Sequence, residues 1–249
     1  MPVWLSVILC ILMGYLIGCI NPAYLFARIR GFDIRKTGSG NAGASNAVIV
    51  MGKTVGIISA ILDIAKGVLS VRLAMLLFPE LLYAGEIAGV ASILGHIFPV
   101  FMGFRGGKGL AALGGVILAF DIRVFLIMLL LEILLIFITD YICFTAITAS
   151  VIFPILHGFM TGQVIGALIL AIAVPAILYK HMENLRRIRA GTEAHFSLLW
   201  HRDKEAQRLE ANMEKQEENS CADSYSESDS ESESNGTDKQ QSESNNSSC

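Results

Sequence analysis

Residues 3–27 read VWLSVILCILMGYLIGCINPAYLFA, 25 consecutive positions without a charged side chain. A bilayer's hydrocarbon core, about 30 Å thick, is crossed by roughly 20 apolar residues in a helix, so this stretch selects a membrane-spanning reading. It is too long for a signal-peptide core and no basic segment precedes it, so it is expected to stay in the protein as a span. Outward from it lie further apolar runs at 54–78, 83–104, 109–120, 124–139, 141–156 and 164–179. The expected fold is all-α, a polytopic membrane protein with about seven transmembrane helices. Three of the runs fall short of a full crossing, and a five-span arrangement with re-entrant segments keeps the same sidedness.

Composition agrees. The 249 residues are 53% hydrophobic and 16% charged, against about 25% charged in soluble domains, which excludes an ordinary cytosolic globule. The net charge of −3 divides unevenly. Residues 1–180 hold 11 basic and 7 acidic side chains and residues 181–249 hold 8 and 15, a body of +4 followed by a region of −7. The basic residues gather in three places: Arg28, Arg30, Arg35, Lys36 and Lys53 after the first run, Arg105 and Lys108 after the third, and Arg186, Arg187 and Arg189 after the seventh. The turns at 79–82 and 157–163 carry no Lys or Arg. The positive-inside bias therefore puts the N-terminus outside and all three basic loops, with the C-terminus, in the cytosol. No basic face suits a nucleic acid. Five cysteines without paired spacing imply neither a disulfide framework nor a zinc site.

The sequence divides into a membrane domain over 1–197, a charged cytosolic extension over 198–209, and a Ser/Glu-rich tail over 210–249. The tail, with Ser-Tyr-Ser-Glu-Ser-Asp-Ser-Glu-Ser-Glu-Ser at 224–234, is too polar and charged to bury a core and is expected to be disordered. Composition does not identify its partner.

Chemistry concentrates at the basic loops. The first reads Gly38-Ser39-Gly40-Asn41-Ala42-Gly43-Ala44-Ser45-Asn46. Glycines let backbone N–H groups converge on an anion, although an ordinary polar turn also accounts for this segment taken alone. The second, 95–109, opens with Gly95-His96 and closes with Arg105-Gly106-Gly107-Lys108-Gly109. An anchor at the membrane surface explains its charges but not its glycines. Neither is a Walker A loop: Gly52-Lys53-Thr54 has the ending, but Ala47 stands where the first glycine belongs. Asp63 and Lys66 lie three apart within the second apolar run, as a structural pair or as part of a site. Arg72, Glu132 and Asp140 read as interfacial side chains. In the third segment, 180–193, His181 and Asn184 share a helix face and could orient a hydroxyl nucleophile.

Taken together, the three segments resemble the bacterial acyl-phosphate-dependent glycerol-3-phosphate acyltransferases. Asp33-Ile34-Arg35 leading into 38–46 is similar to the family's first motif, with Asp63-Ile64-Ala65-Lys66-Gly67 as its extension. Segment 95–109 is similar to the second motif and 181–193 to the third, and the similarity covers about residues 1–197. The resemblance implies a multi-pass enzyme of the bacterial cell membrane with its active site facing the cytoplasm. It would transfer a fatty acyl group from acyl phosphate to the 1-hydroxyl of glycerol 3-phosphate, giving lysophosphatidic acid and phosphate, without metal or cofactor. Other glycerolipid acyltransferases use a His-x4-Asp dyad. Here the fifth residue after each His is Phe101, Gly162, Arg186, Trp200 or Ala206, so the dyad is absent. A mixed anhydride with a phosphate leaving group needs less acid–base help than a thioester.

Carried over by position, the resemblance assigns His181 and Asn184 to catalysis. It assigns Ser39, Gly40, Asn41, Gly43, Asn46, Lys66, His96, Gly106, Gly107, Lys108 and Gly109 to substrate binding, and Asp63 and Glu193 to structural support. One departure stands out. The family has Arg three residues after the second Asn of the first motif, and this chain has Ile49. A charged hydrogen bond is worth about 1.5–3 kcal/mol, so roughly 10- to 150-fold weaker use of glycerol 3-phosphate is expected, with Lys53 a partial replacement one helical turn on. Ser45 and Ala112 replace the usual Thr, and Met182 lies within the third motif. These departures leave an alternative: a catalytically impaired paralogue acting as a regulatory or lipid- and phosphate-handling membrane protein. A transporter would show paired halves with broken helices, and no internal repeat is evident.

Overall fold

The structure, a computed structural model, describes residues 1–193 and 195–199. Among them all regular structure is helical: α1 Val3–Cys19, α2 Pro22–Ile29, α3 Ala44–Met51, α4 Lys53–Leu77, α5 Ala84–Ile97, α6 Leu110–Phe120, α7 Ile122–Thr139, α8 Cys143–Thr161, α9 Val164–Ala171 and α10 Ala173–Arg189, with 3-10 turns at Ile34–Lys36, Val100–Met102 and Phe196–Leu199. The chain forms one compact unit over Met1–Arg186 and a second that begins at Arg187. The extension beyond 199 and the tail over 210–249 lie outside the described residues.

All seven apolar runs become helices, but they do not make seven equal spans. Among the described residues, five segments are long and apolar enough to cross a membrane: Lys53–Leu77, Ala84–Met102, Ile122–Thr139, Cys143–Thr161 and Val164–Arg189. A sixth arises if α1 and α2, bent by 42°, count as one. The bend falls at Asn21-Pro22, where Asn21 caps α2 by accepting from the Tyr24 N–H at 2.9 Å and proline takes the first helical position. The fourth run falls short. Helix α6 has 11 residues, about 16 Å at 1.5 Å per residue, because the glycine-rich segment before it stays non-helical up to Gly109 at φ 94°.

Small residues set the packing. A Cβ on Gly14 would lie 2.5 Å from the Ala88 carbonyl oxygen, and one on Gly18 would overlap the Ser92 carbonyl, so α1 and α5 meet backbone to backbone. Gly67 of α4 and Gly115 of α6 make the equivalent approach through Ala112 and Ile64. Close contact of this kind is how helices associate where lipid removes the hydrophobic drive. The core between α4, α5, α6, α8 and α10 contains Val71, Ile93, Ile97, Val116, Phe153 and Ile177.

Helix α7 instead turns Leu126, Ile127, Leu130, Phe137 and Ile138 outward, a face suited to lipid rather than water. Its inward stripe is Val124, Met128 and Glu132. Glu132 is therefore buried instead of interfacial, and neither of its carboxylate oxygens has a hydrogen-bond partner among the described residues. Near the far ends of α6 and α8, Glu86 lies 3.0 Å from His157, with Phe120 edge-on to the imidazole.

Candidate active site

The first loop is held mainly by one amide. Asn46, fully buried at the start of α3, accepts from the Ser39 N–H at 2.9 Å and donates to the carbonyls of Ile34, Thr37 and Asn41 at 3.1, 3.0 and 2.9 Å. Oxygen and both amide hydrogens are engaged by the loop backbone, one hydrogen being shared. Gly38 and Gly40 take the left-handed conformations this wrapping requires, at φ 58° and 71°, and the Gly40 N–H returns to the Thr37 carbonyl. Asn21 donates to the Ala42 carbonyl at 2.7 Å, which ties the loop to the α1–α2 bend. Asn41 and Gly43 follow on the approach to α3. The Ser39 hydroxyl remains on an exposed residue at the loop's rim.

The second loop folds back on the end of α5. The Gly106 and Gly107 N–H groups donate to the Ile97 and His96 carbonyls, both at 3.1 Å. Any Cβ on Gly106 would strike the His96 carbonyl, and one on Gly107 would strike the His96 Nε2. These glycines therefore serve close approach. The expectation that their N–H groups gather around an anion is not what the geometry shows, because those groups are spent on carbonyls.

Donors appear instead where helices begin. Helices α3 and α6 start at Gly43 and Gly109, and neither start has a side-chain cap. An uncapped N-terminus leaves N–H groups and a partial positive charge for an anion.

The segments adjoin within the first unit. Arg35 grips both Asp33 oxygens, with Nη2 2.6 Å from Oδ2, and donates Nη1 to the Met102 carbonyl at 2.5 Å, which links the first loop to the second. The guanidinium beside it holds the Asp33 carboxyl down at about 2. The second and third segments meet where Lys108 Nζ donates to Asn184 Oδ1 at 2.6 Å. His181, one turn earlier on α10, places Nδ1 2.8 Å from the Ile177 carbonyl. A carbonyl only accepts, so Nδ1 carries the proton and Nε2 is the lone-pair nitrogen of the neutral ring.

Lys66 and His96 lie behind the second loop, both buried. Lys66 Nζ is 2.6 Å from the Ile20 carbonyl, 2.7 Å from Asp63 Oδ1 and 2.8 Å from His96 Nδ1. Asp63 Oδ1 is also 3.2 Å from His96 Nδ1. The carboxylate contacts are close enough for ion pairing, though Oδ1 lacks the directionality of a hydrogen bond. In the second unit Arg187 Nε donates to Glu193 Oε2 at 2.6 Å, and the Arg187 carbonyl accepts from the N–H groups of Thr192 and Glu193. Among the described residues, no group of three His, Cys, Asp or Glu could hold a metal ion.

Residues 8–191 match the family described as Glycerol-3-phosphate acyltransferase. The chain belongs to this acyltransferase family. Relatives of the glycerol-3-phosphate acyltransferase include that of Thermoanaerobacter sp. (strain X514), 37% identical over 188 residues, 75% of this chain and 94% of the relative. That of Aquifex aeolicus (strain VF5) is 36% identical over 187 residues, 75% and 97%. Among solved structures, PlsY (YgiH), an integral membrane glycerol 3-phosphate acyltransferase, superposes in its glycerol 3-phosphate form with a TM-score of 0.70 at 34% identity, over 78% of this chain and 97% of that one. Its lysophosphatidic acid form gives 0.68. This chain of the acyltransferase family is accordingly a multi-pass membrane protein, helical throughout its regular structure among the described residues.

Within that fold Ile49 lies on α3 with 46% of its surface exposed. Lys53 does not stand one turn above it: α3 ends at Met51, Gly52 turns at φ 92°, and Lys53 opens α4. The role of Asn21 was not singled out from sequence, although Asn-Pro ahead of an apolar segment is a helix-start signal. The reach of Arg35 to Met102 spans 67 positions, beyond any local pattern.

Proposed function

We propose that this protein transfers a fatty acyl group from acyl phosphate to the 1-hydroxyl of glycerol 3-phosphate, releasing lysophosphatidate and inorganic phosphate. The observation that carries this reading is the pair of uncapped helix starts, at Gly43 and Gly109, in loops tied together beside the Lys108–Asn184 contact. Both substrates are phosphates, and each helix start suits one.

Lys108 and the Ser39 hydroxyl would contact the phosphate heads, and the acyl chain would lie among the apolar helices. His181 Nε2 and Asn184 would hold the attacking hydroxyl. Its oxygen bonds to the acyl carbon, the carbon–oxygen bond to phosphate breaks, and the bonding pair leaves with the phosphate. The departing phosphate takes the hydroxyl proton, so no His-x4-Asp dyad is needed. Asn46, engaged by loop backbone, supports the site instead of touching substrate, and Glu193 closes the third motif.

The protein is placed in the bacterial cell membrane, N-terminus outside and site facing the cytoplasm. This orientation rests on the basic loops and on the contacts that join the first loop to the second and the second to α10. The test uses protein purified in detergent with glycerol 3-phosphate and either palmitoyl phosphate or palmitoyl-CoA. Lysophosphatidate and phosphate released one to one, from palmitoyl phosphate only, are expected. Product from the thioester alone would overturn the donor, and no product from wild type or from Ile49→Arg would overturn the enzyme reading.

A further inference from the structure

Lys66 and Asp63 are buried charges in a helix interior, and the transfer chemistry above uses neither. Their geometry constrains His96. An ammonium has three hydrogens and no lone pair, and Lys66 Nζ lies against the Ile20 carbonyl and His96 Nδ1 within hydrogen-bonding distance and against Asp63 Oδ1 as an ion pair. Nδ1 lies 2.8 Å from the ammonium and 3.2 Å from Asp63 Oδ1, which receives no hydrogen bond, so Nδ1 offers its lone pair to Lys66. The ring proton then sits on Nε2, which faces Gly107.

Gly107 gives the second half of the case. Its φ is not in the left-handed region and its N–H is bonded to the His96 carbonyl, so neither conformation nor donor capacity calls for glycine. A methyl group there would sit directly on Nε2. Glycine at 107 keeps a side chain off that nitrogen at the residue next to Lys108.

We propose that the buried Asp63–Lys66 pair locks His96 as its Nε2–H tautomer, and that this N–H, kept clear of a side chain by Gly107, is a hydrogen-bond donor to the substrate phosphate held by Lys108. Lys66 and Asp63 are thus positioning residues rather than the direct substrate contact expected of Lys66. His96 adds a neutral, directional donor to the charge of Lys108. The proposal rests on the acyltransferase reading, but its first test is independent of activity.

The full chain, ring-labelled with nitrogen-15 at histidine, is examined by NMR in micelles, with His96 assigned by loss of its signal in His96→Gln. The Nε2–H tautomer is expected in wild type, with the Nε2–H resonance shifting when glycerol 3-phosphate is added. In Lys66→Met, or in Lys66→Leu should the first variant fold poorly, the Nδ1–H form should appear, with Asp63 Oδ1 as its acceptor. An Nδ1–H ring in wild type overturns the lock. A resonance indifferent to glycerol 3-phosphate in protein that binds it overturns the donor.

Kinetics separate donation from packing. Glutamine can place an amide N–H near the Nε2 position, whereas asparagine reaches only the Nδ1 position. His96→Asn should raise KM roughly 10- to 150-fold, the worth of a hydrogen bond to a charged group, and His96→Gln less than about 10-fold, with kcat changing less than KM in both. Equal losses in the two variants, or a loss confined to kcat, would overturn the role.

Discussion

The two glycine-rich loops are held in different ways. The first closes on itself: Asn46 gathers Ser39, Ile34, Thr37 and Asn41 through four hydrogen bonds, and Gly38 and Gly40 supply the positive φ. The second is braced from outside. Its glycines lie flat on the end of α5, with the Asp63–Lys66–His96 cluster behind. They differ in charge as well, since Lys108 stands at the start of α6 whereas α3 presents Ile49. A glycine-rich segment can thus be glycine-rich for conformation in one loop and for close approach in the other, and substitutions tell the two apart.

The largest effect is expected from Asn46→Ala. Four hydrogen bonds at about 1 kcal/mol each hold the first loop, so turnover should fall roughly 1000-fold while the helical body stays folded, checked by activity alongside circular dichroism. Ile49→Arg should act the other way, raising kcat/KM for glycerol 3-phosphate roughly 10- to 150-fold. A flat response would mean that another group already serves the first loop's phosphate.

Alanine at single glycines sharpens the contrast. Gly106→Ala must displace backbone, at about 1–3 kcal/mol, and should lower the melting temperature as well as activity. Gly40→Ala meets nothing nearer than the Arg35 carbonyl at 3.5 Å and pays only for its positive φ, about 1–2 kcal/mol, so its loss should be roughly 10-fold and local. The smallest effect concerns Asp33. Its carboxyl is held at about 2, below the ordinary 3.8, by the Arg35 hydrogen bonds. A depressed carboxylate stabilises the fold fully above its unfolded value and loses that contribution only as pH falls through the folded one. The clamp is therefore constant from about pH 5 upward, and Asp33→Asn should leave any acid limb of the activity profile above that pH in place.

Much of this architecture is legible in the sequence because apolar runs and helix length are local properties. Each run became a helix, although the first, read as one span, is broken at Asn21-Pro22. The short α6 was harder to foresee, since run 109–120 reads as apolar whether or not the preceding glycines continue a helix. The site's parts were visible but their roles were not. The resemblance assigns Asn46 and Lys66 to substrate binding, and the folded chain adds contacts that no local pattern shows: Lys66 meets His96 across 30 positions and Lys108 meets Asn184 across 76. Glycines hide the most, because the sequence records the missing side chain and not the atom that occupies its place.

The central claim is that the chain-separated motifs build one phosphate site beside Lys108 and Asn184. A crystal structure of the protein grown with glycerol 3-phosphate tests it most directly. The account predicts the phosphate within hydrogen-bonding distance of Lys108 Nζ and an uncapped helix start at Gly43 or Gly109, with the 1-hydroxyl toward His181 and Asn184. Glycerol 3-phosphate bound at the Glu86–His157 end, or with its phosphate away from both helix starts, would contradict it.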